Sequence, residues 1–305
     1  MSSGTPVLQK EPEAVSRAQR AFGALGAASI RLWLRVFGRP VRRDTVPWLE
    51  GPSGPPGGIG AGLYDVVAVQ QGLTLDRSRN QGLLPSFDVL KGPAFDPVLV
   101  HPAIRAFYER TSSYELDVWS ETVFPARLFL WLLVHTVSRS MDQLNFPVSS
   151  LEVSRGITSD VLPLVEPETG RVRYTGWLRR LTASGRVIYA GFYSVTQPPL
   201  HDGPCVKVVF PIPHGNATVI FRPEVDRDGS FRLISSGAGF GGPGFYRILE
   251  AGEGQLRVRY LRTLREFFHV FVDDAGTLRT DHRVEFLGFT VLKLHYRLTP
   301  SPVLR

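Results

Sequence analysis

The chain has 305 residues, of which 43% are hydrophobic, and a formal net charge of +7. It is long enough to bury a full core, and its charge suggests an anionic partner. The one cysteine, Cys205, excludes an internal disulfide and leaves no thiolate cluster for zinc or iron–sulfur, which is typical of a reducing, cytoplasmic location. The seven histidines lack the short spacings of helical metal motifs, so we predict no metal and no cofactor.

The basic residues are nearly all arginines, because only four of the 35 are lysines. Several of them alternate with apolar residues, as Arg257 and Arg259 do, which is typical of the solvated face of an ordinary sheet. The pattern therefore does not favour nucleic acid as a partner.

The N-terminal region is predicted to hold a tail, a helix and a linker. Residues 1–18 are polar and lack periodicity, which predicts a disordered tail and not a signal peptide. In residues 19–43 apolar residues recur at helical spacing while arginines occupy another face, which indicates a basic amphipathic helix. Residues 44–96 are predicted to be a Gly/Pro linker and an irregular region with one short strand at residues 64–69.

Two interpretations of the basic helix remain open. It either docks on the main domain or on a partner chain, or it lies in a membrane interface through residues 20–43. In the second case Trp33 and Phe37 would enter the lipid, and arginines would contact anionic headgroups. These arginines are Arg31, Arg35, Arg39, Arg42 and Arg43.

The compact part of the chain is predicted to span residues 97–305 and to begin with helices. His101 and Pro102 open a short helix that ends near Ser113, and a strand follows at residues 114–119. Residues 124–137 form the most apolar run of the chain, which is too short to span a bilayer. We expect a buried helix here, either as part of the core or as a plug over an apolar cavity, with Trp131 facing the interior.

After Pro147 the pattern is almost wholly that of β-strands joined by hairpin-length turns. The predicted strands are residues 156–165, 172–181, 186–196, 205–212, 217–222, 231–235, 245–250, 256–262, 266–273, 277–286 and 290–298. No helical pattern interrupts them, so we predict an α+β domain, mainly an antiparallel β barrel or strongly curved sheet with a helical cap. This element order resembles that of calycin-type barrels and of the helix-grip folds that hold lipids, and the resemblance implies an apolar interior.

Alternation within the strands predicts which side chains face that interior. His282 and Tyr296 share the inner face of their strands with apolar residues, and Tyr260 does the same on a third strand. The predicted ligand contacts are Trp131, Tyr174, Phe240, Tyr260, Arg262, His282 and Tyr296.

The hairpin at residues 273–277 decides whether a second polar group joins His282. Gly276 in the third loop position suits a type I turn with a bulge, and this register places Glu266 inward, one residue pair from His282. A two-residue loop would instead place His269 opposite His282. We favour the first register, which makes Glu266 and His282 a candidate acid–base pair.

These patterns predict a protein that binds a hydrophobic small molecule or lipid inside a β-rich domain. An enzyme of isomerase, cyclase or hydrolase type, using Glu266 and His282 in the same cavity, is the first alternative. The second is a structural or interaction protein that is peripheral to a membrane and attached by the basic helix.

Overall fold

The computed structural model describes residues 28–29, 31–54, 62–78, 81–121, 157–182, 185 and 187–301. The predicted tail at residues 1–18 lies outside the described residues. So does the predicted apolar helix that contains Trp131.

Three α-helices are described, and they precede most of the strands. Helix α1 is described over residues 28–29 and 31–37, α2 spans Leu63–Gln71 and α3 spans Pro102–Glu109. Short 3₁₀ turns occur at Arg43–Thr45, Pro47–Leu49, Phe87–Leu90, Pro97–Leu99 and Thr111–Ser113. Helix α3 buries Ile104, Phe107 and Tyr108, which confirms the predicted apolar side of that helix.

Helix α2 replaces the short strand that was predicted at residues 64–69, so that prediction is wrong. Leu63, Tyr64, Val67 and Ala68 are its buried residues, and spacings of three and four positions link them on one helical face. The valines suggested a strand, but packing of this face on the sheet overrides their weak local preference. Gly72, with a φ of 64°, ends the helix in the left-handed conformation.

Helix α1 also ends earlier than predicted, at residue 37 rather than 43. The Gly38 N–H closes its last turn by donating to the Leu34 carbonyl at 2.8 Å. Pro40 then disfavours helical backbone at the residue before it. The chain continues as a strand, β1, over Arg39–Arg42.

The remaining strands confirm all eleven strands that were predicted after Pro147, with shifts of a few residues at their ends. They are β2 Thr74–Leu75, β3 Tyr114–Glu121, β4 Ile157–Val165, β5 Val172–Leu181, β6 Val187–Thr196, β7 Cys205–Ile212, β8 Gly215–Val225, β9 Phe231–Ile234, β10 Gly244–Glu250, β11 Gln255–Tyr260, β12 Leu264–Val272, β13 Leu278–Phe286 and β14 Phe289–Pro300.

All described strand pairings are antiparallel, and the main path runs β2-β4-β5-β6-β7-β8-β9-β12-β13-β14-β3. The path has two free ends, β2 and β3, so the described strands form an open sheet and not a closed barrel. The sheet is nevertheless curved. Strands β5 and β14 lie seven strands apart along the path, yet Arg179 of β5 packs over the ring of Tyr296 of β14.

Strand β8 is the branch point of the sheet. One edge pairs with β7, while the other edge pairs first with β10, through residues 215–220, and then with β9, through residues 222–225. Strand β10 pairs with β11, and β11 pairs with β1. The branch therefore carries α1 and β1 away from the strands that hold Glu266 and His282.

Three apolar clusters of the described residues pack against this sheet. The largest joins α3 and its neighbouring 3₁₀ turns to β6–β9 and to β12–β14, and it includes Phe87, Tyr108, Phe210, Val219, Phe231 and Leu298. A second cluster packs α2 on the opposite face of β5 and β6, and a third packs Trp48 against β8, β10 and β11. All eight residues of β7 are consequently buried, which explains why all of them except Lys207 are apolar.

The contact between α2 and the sheet depends on a glycine. The Tyr64 hydroxyl donates to the Trp177 carbonyl at 2.8 Å, and its ring lies against Gly176. A Cβ atom at Gly176 would overlap that ring, whereas one at Gly62, which begins α2 with a φ of −84°, would contact nothing.

We expect Gly176→Ala to destabilise the protein by about 2 kcal/mol, because overpacking of a fixed ring forces α2 away from the sheet. Urea denaturation followed by circular dichroism measures this, with Gly62→Ala as the matched control. Equal unfolding midpoints for the two variants would contradict the prediction.

A buried lysine of β7 forms hydrogen bonds with the segment at residues 48–50, which precedes α2. The Lys207 ammonium group donates to the Glu50 carbonyl at 2.6 Å and to the Trp48 carbonyl at 3.4 Å. Burial lowers the pKa of Lys207 from 10.5 to about 8, with Glu50 opposing the change and Arg173 adding to it. Between these two values the unfolded chain holds a proton that the folded chain has released.

The contribution of Lys207 to the free energy of unfolding should therefore rise by up to about 3 kcal/mol as the pH increases from about 8 to 10.5. Lys207→Gln keeps a donor for the carbonyls but removes the titration. Urea denaturation of both proteins across this window should show the wild type gaining stability relative to the variant, whereas titration of the buried tyrosines affects both proteins equally. If the two curves run parallel, Lys207 is not the titrating group.

Candidate functional site

The structure divides the predicted ligand contacts between two places. Glu266, His282 and Tyr296 meet on the inner face of the curved sheet. Phe240, Tyr260 and Arg262 instead line a groove beside α1. Tyr174 belongs to neither place, because it faces α2 on the other side of β5 and packs against Phe192. Trp131 lies outside the described residues.

The hairpin between β12 and β13 has the favoured register. Asp273 N–H donates to the Thr277 carbonyl at 2.9 Å, and Gly276 has a φ of 74°. Glu266 pairs with Val284, Phe268 with His282 and His269 with Asp281. The competing register, with His269 opposite His282, is excluded.

Glu266 and His282 approach each other on the inner face. Glu266 Oε2 lies 3.4 Å from His282 Nε2, and the imidazole stacks on the ring of Phe268 with a centroid distance of 3.9 Å. His282 Nε2 is buried and makes no aligned hydrogen bond, so the pair is in electrostatic contact only. The catalytic role of these two residues stays a prediction.

A buried arginine faces the same space from β5. Arg179 is 6% exposed, and its guanidinium lies over the rings of Trp177 and Tyr296, at 5.4 Å from each centroid. This arrangement is a double cation–π contact. It brings a permanent positive charge to the inner face.

Two tyrosines of β6 complete this group. The hydroxyls of Tyr189 and Tyr193 lie 2.9 Å apart, and both rings pack edge-on against Trp177. Burial raises the pKa of each tyrosine, and the Glu266 charge adds to the increase for Tyr189. Burial also raises the pKa of Tyr296, against the opposing effect of Arg179. We call these polar groups the interior cluster: Arg179, Tyr189, Tyr193, Glu266, His282 and Tyr296.

Sequence reasoning missed Arg179, Tyr189 and Tyr193. A signal for the first was present, because Arg179 and Arg180 are adjacent in a strand, and adjacent side chains point to opposite faces. In a strand that is covered on both faces, one of two neighbouring arginines must be buried. Arg180 takes the other face and pairs with Asp160 at 2.6 Å.

The second place is a groove of about 670 Å³ that is open to solvent between α1 and β11. We call it the α1 groove. Its wall combines aromatic side chains with arginines. These residues include Trp33, Phe37, Arg39, Phe240, Arg259 and Arg262.

The arginines of the α1 groove hold the helix in place through stacking and capping. Arg39 lies over the ring of Phe240 at 4.6 Å, and Arg259 lies over Trp33 at 5.6 Å. Arg259 also donates to the Phe37 carbonyl at 3.2 Å, near the carboxyl end of α1 where a positive charge is favourable. The helix is thus positioned by its C-terminal end and by β1.

Phe240 belongs to the glycine-rich segment at residues 237–244. One tyrosine, Tyr246, forms hydrogen bonds with the backbone of this segment. The Tyr246 hydroxyl donates to the Gly242 carbonyl at 2.5 Å and accepts from the Gly241 N–H at 3.1 Å. The Phe240 ring packs edge-on against Trp48 at 5.7 Å. Phe240 consequently borders the α1 groove and not the interior cluster.

Most of the apolar side chains of α1 face solvent. Leu32, Trp33, Val36 and Phe37 are 63%, 38%, 64% and 58% exposed, whereas Leu34 is fully buried. Arg35 and Arg39 are exposed beside them, and neither forms an ion pair with any described carboxylate. The helix therefore presents an apolar surface with unneutralised positive charge at its border.

No family model matches the chain, and no solved structure matches it. The chain is 24% identical over 231 residues to "Uncharacterized membrane protein YndJ" of Bacillus subtilis (strain 168). The matched region covers 73% of this chain and 39% of the Bacillus protein, so the chain spans well under half the length of that relative. Among the described residues, no helix is both long and apolar enough to cross a membrane.

Proposed function

We propose that the protein binds the surface of anionic membranes through the exposed face of α1 and the α1 groove. The observation that carries this proposal is the exposure of Leu32, Trp33, Val36 and Phe37 on a helix fixed to the edge of the sheet. Single exposed apolar residues are normal on protein surfaces. Four of them within six positions of one helix, next to unpaired arginines, are typical of an interfacial helix.

Apolar burial supplies the first part of the binding energy. Removing apolar surface from water contributes roughly 25 cal/mol per Å², and two fully inserted aliphatic side chains contribute about 3 to 6 kcal/mol. Trp33 and Phe37 add aromatic rings, and tryptophan in particular favours the headgroup region. The rigid attachment of α1 avoids the cost of ordering a helix at the membrane.

Electrostatic attraction supplies the second part. Arg35, Arg39 and Arg262 are exposed near the apolar face and are not neutralised by described acidic residues. A basic side chain close to an anionic bilayer contributes about 1 kcal/mol. The arginines also match the headgroup phosphates, to which a guanidinium donates two hydrogen bonds at once.

The similarity to a Bacillus protein that is named as a membrane protein supports the same location for this chain. A protein peripheral to the membrane does not need a spanning segment among its described residues. The hydrophobic ligand predicted for the interior is a separate proposal, and so is the cytoplasmic location.

Vesicle co-sedimentation tests the membrane proposal. We expect wild-type protein to bind vesicles that contain phosphatidylglycerol, and to bind pure phosphatidylcholine weakly. The double variant Leu32→Ser/Val36→Ser should bind at least about tenfold more weakly, because it removes two inserting side chains without touching the core. Val98→Ser/Leu99→Ser is the matched control, since Val98 and Leu99 are 71% and 62% exposed outside α1.

A second comparison tests the contribution of the arginine charges to membrane binding. Arg35→Gln should weaken binding about fivefold on anionic vesicles and have no effect on neutral ones. Added salt should reduce wild-type binding in the same way. Equal binding by the two double-serine variants, or absence of wild-type binding to anionic vesicles, would disprove the proposal.

A further inference from the structure

Arg179 is a buried cation with one side of its guanidinium unused. The residue is 6% exposed, yet Nε and Nη2 make no hydrogen bond. The rings of Trp177 and Tyr296 lie against the guanidinium, but neither residue accepts a hydrogen bond from Nε or Nη2. Buried polar groups are normally satisfied, because an unpaired donor away from water loses its hydration without compensation. The unused donors therefore require an explanation.

The two unused atoms define the shape of the missing partner. Nε–H and one N–H of Nη2 point in parallel along the same edge of the planar guanidinium. Two parallel donors match the two oxygens of a carboxylate in a bidentate pair. No described carboxylate occupies this edge: Asp160 pairs with Arg180 on the other face, and Glu266 faces His282.

We infer that the interior cluster is a binding site for an apolar carboxylic acid, with Arg179 holding the carboxylate. The guanidinium edge forms the bidentate pair, while the aromatic rings around it contact the apolar body of the ligand. The hydroxyls of Tyr189 and Tyr193 and the unpartnered Nε2 of His282 are further polar atoms on the same inner face.

Residual exposure around Arg179 supports a recess at this position. Trp177, Tyr189 and Tyr296 are only partly buried, although they lie deep on the inner face of the sheet. All three side chains nevertheless pack against the largest apolar cluster, so protein surrounds them. A side chain that is surrounded by protein and still has solvent-accessible area lies in the wall of a recess and not on the outer surface.

The surroundings decide between classes of acid. Trp177, Phe268 and the tyrosine rings offer apolar surface, and Arg179 and His282 are the basic side chains of the site. A small hydrophilic acid would leave these rings without a partner. An aliphatic or aromatic acid buries apolar area and pairs its single negative charge with Arg179.

This inference does not depend on membrane binding by α1. It assigns a chemical class to the interior ligand that the strand pattern predicts. The two places lie on different branches of the sheet, so variants in one can be examined without altering the other.

Calorimetric titration of the full chain with dodecanoate tests the site. We expect one molecule to bind per chain, and Arg179→Gln to weaken binding at least about tenfold, since a charge-assisted pair is lost. Arg180→Gln is the matched control on the neighbouring position of β5 and should bind as the wild type does. Dodecanol, which has the same chain without the charge, should bind wild type as weakly as dodecanoate binds Arg179→Gln.

Two further variants keep the test decisive. Arg179→Lys retains the charge if Arg179→Gln fails to fold, and it should also bind weakly because an ammonium group lacks the planar edge. Phe37→Ser removes a wall of the α1 groove and should leave dodecanoate binding unchanged. Equal affinity of the Arg179 and Arg180 variants, loss of binding in Phe37→Ser, no uptake by wild type, or preference for dodecyl phosphate would each overturn the assignment.

Discussion

Strand β8 is the constraint on which the arrangement of the whole molecule depends. Its outer edge is shared by two successive strands, because β10 pairs with its first half and β9 with its second half. A strand has only two hydrogen-bonding edges, so two partners on one edge must diverge. One of them leads to β11, β1 and α1, and the other leads to β12, β13 and β14. The α1 groove and the interior cluster are separate for this reason.

The divergence also explains how well each level of structure could be predicted. Alternation on a single strand predicts that the apolar residues sharing a face with Tyr296 point inward, and Leu292, Leu294 and Leu298 of β14 are buried. The same holds on β11 for Leu256 and Val258, which share a face with Tyr260. Alternation could not show that these two sets belong to different apolar clusters. It distinguishes the two faces of a strand, but it does not identify the residues that pack against each face. Tyr260 was therefore grouped with His282, from which the branch separates it.

Local turn chemistry was the most informative sequence signal for the interior cluster. Gly276 favours one loop geometry, and that geometry alone brings Glu266 towards His282. Helix α2 shows the opposite case, because its valines favour a strand while its buried face packs on Gly176. The contact of Arg179 with Tyr296 could not be predicted, because Tyr296 lies on a distant strand and follows it by more than a hundred residues. Contacts of that kind depend on the curvature of the sheet, which no local pattern contains.

The two candidate places use arginine in the same physical way. In the α1 groove Arg39 lies over the ring of Phe240, and in the interior Arg179 lies over the rings of Trp177 and Tyr296. Stacking uses the face of the guanidinium, where hydration is weakest, and leaves the N–H groups at its edge directed outward in the plane. An aromatic ring can thus hold the cation in position without neutralising it. Lysine cannot do this as well, because its compact ammonium group is strongly hydrated and has no face to stack. Only four of the 35 basic residues are lysines, so nearly every cation of the chain is of the kind that can be held in this way.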